Sequence, residues 1–133
     1  MKTFDVQSIE IDRPVKEVFD YVANPANLPS WTNAFKSADH EKAELVTSAG
    51  AVPIALKTEA NLQAGTVDWF MTFPDGGTGS AFSRATANGA GKSIYSFVLM
   101  APPVALELLE GALTEQMAIL ARELETLKAV LEG

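Results

Sequence analysis

Apolar residues recur along this chain with two different periods, and the changes of period divide it into elements. Phe4, Val6 and Ser8 alternate and lead into a run ending at Ile11, which predicts a first strand. Pro14 stands where the first turn of a helix tolerates a missing amide. Val15, Val18, Phe19 and Val22 then repeat at spacings of three and four, one face of an amphipathic helix. Asn24-Pro25 predicts a second, short helix with Asn as its N-cap and Pro at its first position, and Pro29 predicts its end before Trp31.

Between Trp31 and Pro102 the period is two, and strands are predicted over about 41–48, 51–62, 65–73, 78–88 and 92–100. Ala49-Gly50, Ala64-Gly65, Pro74-Asp75-Gly76-Gly77 and Asn88-Gly89-Ala90-Gly91 supply the turns. Val67, Trp69, Met71 and Phe73 share one strand face, and Thr66, Asp68, Phe70 and Thr72 share the other; the apolar set belongs inside. Across the Pro74–Gly77 turn, a register with Phe70 opposite Phe82 and Asp68 opposite Arg84 pairs the outer face favourably. It also sets Trp69, Met71 and Val67 against the small residues Ser83, Ala81 and Ala85. Two readings stay open: Trp69 and Met71 fill the space as core, or Ala81, Ser83, Ala85 and Ala87 leave a gap that a ligand enters. A two-residue Asn88-Gly89 turn would place Tyr95 and Phe97 outside in a large aromatic patch. A longer loop turns Tyr95, Phe97 and Leu99 inward and is preferred. On the preceding strand Val52, Ile54, Leu56 and Ala60 alternate inward, with Lys57, Glu59 and Asn61 toward water.

Pro103 can start a closing helix whose stripe is Leu106, Leu109, Leu113, Met117, Leu120, Leu124, Leu127 and Leu131. In a single domain its partner is the concave side of the sheet; a dimeric coiled coil is the alternative. Gly111 marks a bend or a late start, and Met117 serves as core or as a flexible cavity wall.

Pro14 with Val18-Phe19-Asp20-Tyr21, Asn24-Pro25 through Trp31, and the closing Glu123-Leu124-Glu125-Thr126-Leu127-Lys128 together resemble the START-related superfamily (SRPBCC). That superfamily includes the birch-pollen allergens, the aromatase/cyclases and the bacterial polyketide cyclase/dehydrase-like proteins. The resemblance covers essentially the whole chain. It implies an α+β helix-grip fold: a curved antiparallel sheet wrapped around a long C-terminal helix, two short helices after the first strand, and a hydrophobic cavity between sheet and helix. It specifies a place for a ligand and no particular substrate.

Composition narrows the functions. The 133 residues, 47% of them hydrophobic, fit one domain over 1–133. A net charge of -7 with scattered basic residues disfavours nucleic acid or an anionic membrane as partner. Without cysteine and with His40 alone, thiolate catalysis and sulfur- or His-based metal sites are not expected, nor is a cofactor. The acids among the first ten residues and the lack of a long apolar run predict neither signal peptide nor spanning helix, hence a cytoplasmic protein.

Candidate chemistry is sparse. Asp39-His40-Glu41 reads as a solvated strand entry, and Asp75-Gly76-Gly77-Thr78-Gly79 as a hairpin turn rather than a phosphate loop. The inward polar groups are Thr58, Ser83 and Tyr95, with Asn33 near the entrance beside Trp31, and no buried acid, base or cation is expected. Trp31 anchors the short helix or rims the cavity. The reading is a monomeric or homodimeric protein that binds an apolar or aromatic small molecule, lipid- or polyketide-like. Its ligand-binding residues are Trp31, Leu56, Trp69, Met71, Ser83, Ala85, Tyr95, Phe97, Leu113, Met117 and Leu120. A polyketide cyclase/dehydrase-type enzyme, with no catalytic residue assigned, and an interaction module using Phe70 and Phe82 are the alternatives.

Overall fold

A computed structural model of the chain describes residues 3–47, 50–101 and 106–133, the side chains of 47 and 106–112 excepted. The chain begins with strand β1 (Phe4–Ile11), helix α1 (Val15–Ala23), a 3-10 turn (Pro25–Asn27) and helix α2 (Leu28–Trp31). Strands β2 (Phe35–Ala38), β3 (Lys42–Thr47), β4 (Gly50–Asn61), β5 (Thr66–Thr72), β6 (Thr78–Ala87) and β7 (Ser93–Met100) follow, and helix α3 (Leu106–Glu132) closes the chain. The seven strands form one antiparallel sheet in the order β1-β7-β6-β5-β4-β3-β2, so this is an α+β helix-grip fold. Pro103 and the Leu106 and Leu109 side chains lie outside what is described. The α3 backbone runs unbroken through Gly111.

Local chemistry accounts for the entry helices. The Pro14 carbonyl accepts from Glu17 N and Val18 N and so opens α1. Its Val18, Phe19 and Val22 are buried. Asn24 Oδ1 accepts from Ala26 N, with Pro25 following as the first helical residue. Pro29 does not end the second helix as expected. It lies within the first turn of α2, where no amide is needed, and the helix continues to Trp31.

Two hairpins set which faces are buried. The β5–β6 turn is a three-residue loop in which Phe73 faces Gly77, Gly76 N donates to Phe73 O, and Gly76 takes a positive φ of 87°. It therefore pairs Trp69 with Ala81, Met71 with Gly79 and Asp68 with Phe82, two residues away from the expected register. A slip of two preserves the faces. Val67 and Trp69 are buried, whereas Asp68 and Arg84 share the outer face without standing opposite each other. Phe70 and Phe82 still meet diagonally, edge to face at 5.9 Å. The β6–β7 loop is likewise three residues long, closed by Asn88 N to Lys92 O with Gly91 at positive φ, and it turns Tyr95 inward to full burial. Ala60 and Ala87 keep the inner parity but are exposed near the strand ends.

On β1, predicted from the same alternation, Phe4 and Val6 face outward, 46% and 55% exposed, because the buried Ile11 shares its face with Asp5 and Gln7. Helix α3 lies along β1, with α2 beside it, and α1 crosses the concave face against β5, β6 and β7. Leu120, Leu124 and Leu127 join Val67, Trp69, Leu56 and Tyr95 in one buried cluster, which Met71 packs against. From Leu113 onward, the described part of the α3 stripe is therefore covered within its own chain.

Candidate functional site

The small residues that the sheet offers do not all leave a gap. Ser83 and Ala85 are buried, and α1, with Val18, Phe19 and Val22 turned into the core, packs against their strand. The gap opens instead toward the β5–β6 hairpin, where β6 presents Gly79 and Ala81. A cavity of about 600 Å³ lies there between the sheet, α2 and α3. A Cβ added at Gly79 would sit 3.3 Å from the Phe73 ring and 3.5 Å from the Met71 methyl, so glycine here keeps the wall thin. Leu28 and Trp31 of α2, Phe35 and Leu45 of β2 and β3, and Ile119 and Leu120 of α3 complete an apolar lining with Trp69, Met71, Phe73, Phe97 and Leu99. Val46 and Met100, both exposed, and Gln116 belong to the same lining and mark its opening to solvent.

Five of the eleven residues singled out from the sequence stand on this wall: Trp31, Trp69, Met71, Phe97 and Leu120. Trp69 and Phe97 are stacked with centroids 5.8 Å apart, and Trp31 meets the Tyr95 ring edge to face at 6.2 Å. The other six do not line it. Leu56, Ala85 and Tyr95 belong to the packed core, and Leu113 is buried. Ser83 Oγ donates to Val67 O, and Met117 is half-buried while its carbonyl accepts from Gln7 Nε2. Burial pushes the Tyr95 phenol well above its ordinary pKa, with the Ser83 hydroxyl beside it working the other way. The Tyr95 hydroxyl, Trp31 Nε1, Trp69 Nε1 and Thr58 Oγ1 are buried without a well-formed hydrogen bond among the described residues.

The expectation of an interior without acids is overturned at two places. Asp5 is buried on the inner face of β1, where Gln7 Nε2 donates to its Oδ2 at 2.9 Å. Glu123 stands on the cavity wall, half-buried. It sits three residues after Leu120 and four before Leu127, on the flank of the α3 stripe, and that flank faces the cavity rather than water. Asn33 N donates to Glu123 Oε2 at 2.6 Å, tying the loop after α2 to α3. Burial raises the Glu123 carboxyl above its usual pKa, opposed by the Asn33 amide and the Arg122 charge. No group of metal-ligating side chains occurs among the described residues. Nor is any helix among them long and apolar enough to cross a membrane.

No protein-family model matches the chain, and no curated protein matches it. Solved structures do. The di-domain ARO/CYC BexL from the BE-7585A biosynthetic pathway superposes with a TM-score of 0.74 at 18% identity, over 99% of this chain and 47% of its own. A START superfamily protein from Mycobacterium smegmatis gives 0.70 at 12% identity, covering 96% of this chain and 98% of its own. The Zhui aromatase/cyclase from Streptomyces sp. R1128 gives 0.67 at 10%, covering 97% and 93%. At these identities the likeness is one of fold: the chain shares the helix-grip architecture of these proteins.

Proposed function

We propose that this START-related fold serves as a cytoplasmic binding protein that takes an apolar or aromatic small molecule, lipid- or polyketide-like, into the cavity between sheet and α3. The supporting observation is the cavity itself, about 600 Å³ and walled mainly by aromatic and aliphatic side chains, within the range that holds a small organic ligand. Trp31, Trp69, Met71, Phe97 and Leu120 are its proposed contacts. Leu56, Ser83, Ala85, Tyr95, Leu113 and Met117, which do not line the cavity, are not among the proposed contacts. The reading requires no nucleic acid, membrane or cofactor.

A cyclase or dehydrase needs a base and a separate group that polarises a carbonyl in a sheltered site. The wall supplies one carboxylate, Glu123, and no second ionisable side chain among the described residues that line it. The mainly aromatic and aliphatic character of the rest of the wall favours binding.

Titration with the neutral probe N-phenyl-1-naphthylamine tests it, because Trp31 and Trp69 report on the wall. Saturable binding with a change in tryptophan emission is expected. Ala81→Leu, which fills the gap opposite Trp69 without removing a polar group, should weaken binding about tenfold. Absence of saturable binding, or indifference to Ala81→Leu, would overturn the reading; turnover of an aromatic polyketide that is lost in Glu123→Gln would replace it with the enzyme.

A further inference from the structure

We propose that Glu123 selects the charge of what enters the cavity: apolar molecules carrying a hydroxyl or an amine are accepted, and their carboxylate counterparts are rejected. The proposal rests on the cavity being the binding site. Among the described residues that line the cavity, Glu123 is the one titratable side chain, and no Lys, Arg or His stands with it to balance an incoming anion. Its carboxylate is held in place, since Asn33 N donates to Oε2 at 2.6 Å. The other oxygen, Oε1, accepts no hydrogen bond among the described residues and is left for a ligand donor.

The surroundings strengthen that preference. Phe35, Phe97 and Ile119 share the wall with Glu123, and charges interact more strongly across such apolar surfaces than in water. A carboxylate brought in would have to lose its hydration beside a fixed negative charge. A hydroxyl would instead donate to Oε1, and an ammonium would gain a partner as well. The charged or titratable groups that act on or feel Glu123 are Arg122, adjacent on its own helix and exposed, and the Tyr95 phenol from β7, with the Asn33 amide facing it from the loop after α2. The net charge of -7 works in the same direction at long range.

Three probes with one skeleton test this by calorimetry at neutral pH: naphthalene-2-methanol, naphthalen-2-ylmethylamine and 2-naphthoate. In the native chain the alcohol and the amine should bind, with the naphthoate weaker by about tenfold or more. In Glu123→Gln, whose amide oxygen can still accept from Asn33 N, the alcohol should bind as before. The gap to naphthoate should close, and any advantage of the amine should disappear. If the variant does not fold, the native chain still decides with naphthalene-2-sulfonate, which stays anionic in acid: its gap to the alcohol should narrow as pH is lowered through the Glu123 titration. Equal binding of alcohol and naphthoate by the native chain, or a gap unchanged by both the substitution and acid, would overturn charge selection while leaving the cavity reading intact. Failure of all three probes would overturn both.

Discussion

The Tyr95 hydroxyl is fully buried with no hydrogen-bond partner among the described residues. A buried polar group in that condition costs about 1–3 kcal/mol, so Tyr95→Phe should leave stability unchanged or raise it by roughly 1 kcal/mol in urea unfolding. A clear loss would show that the hydroxyl has a partner after all. The inward facing of Tyr95 was legible in the sequence, because the opposite facing would have gathered Phe70, Phe82, Tyr95 and Phe97 into one exposed patch. Glu123 was not legible. A charge on the flank of a leucine stripe looks the same in sequence whether that flank meets water or a cavity, and only the position of Asn33 and the loop after α2 decides it. Asp5 was hidden for a related reason, since Phe4 and Val6 offered an alternation that belongs to the outer face.

At the scale of elements, the last turn of α3 is fastened to the turn between β1 and α1. Glu132 Oε2 accepts from Asp12 N at 2.8 Å and from Lys128 Nζ at 2.6 Å, Arg13 Nη2 donates to Glu132 O, and Lys128 Nζ reaches Glu10 O. The Lys128 ammonium and the Asp12 amide hold the Glu132 carboxyl below its ordinary pKa, and Glu132 in turn raises Lys128. A lowered carboxyl stabilises fully above its unfolded pKa, about 4.3, and the contribution is lost as pH falls through the lowered folded value. A raised ammonium stabilises below about 10.4 and loses its contribution as pH rises through the raised value. The difference in Tm between the native chain and Glu132→Gln should therefore be flat across neutral pH and shrink at both extremes; a difference that persists in strong acid would count against the ion pair. The α3 stripe from Leu113 onward and six of the seven strands were readable from periodicity alone. The four-residue β2 was not, because Lys36 and Ser37 show no apolar alternation and the strand is irregular between Phe35 and Ser37. The β5–β6 register slipped by two because loop length, not side-chain pairing, sets it, and the left-handed Gly76 shortens the loop to three residues.

For the molecule as a whole, the strand order follows the chain except at one edge, where β1 lies beside β7. Gln7 meets Met117 and Asp12 meets Glu132, so the two ends of the chain complete each other. The consequence is one of timing. A topology whose decisive pairings join distant segments must pay loop-closure entropy before it gains contacts, and refolding in about milliseconds to seconds, rather than microseconds, is expected in stopped-flow measurements. A microsecond phase carrying the full amplitude would contradict this. During synthesis β1 emerges first of the strands and its partner β7 last. At about 5–20 residues per second, the nascent β1 spends several seconds with its ladder unpaired and Ile9 and Ile11 uncovered. It is in that interval, rather than in the finished fold, that this chain most needs protection from its neighbours.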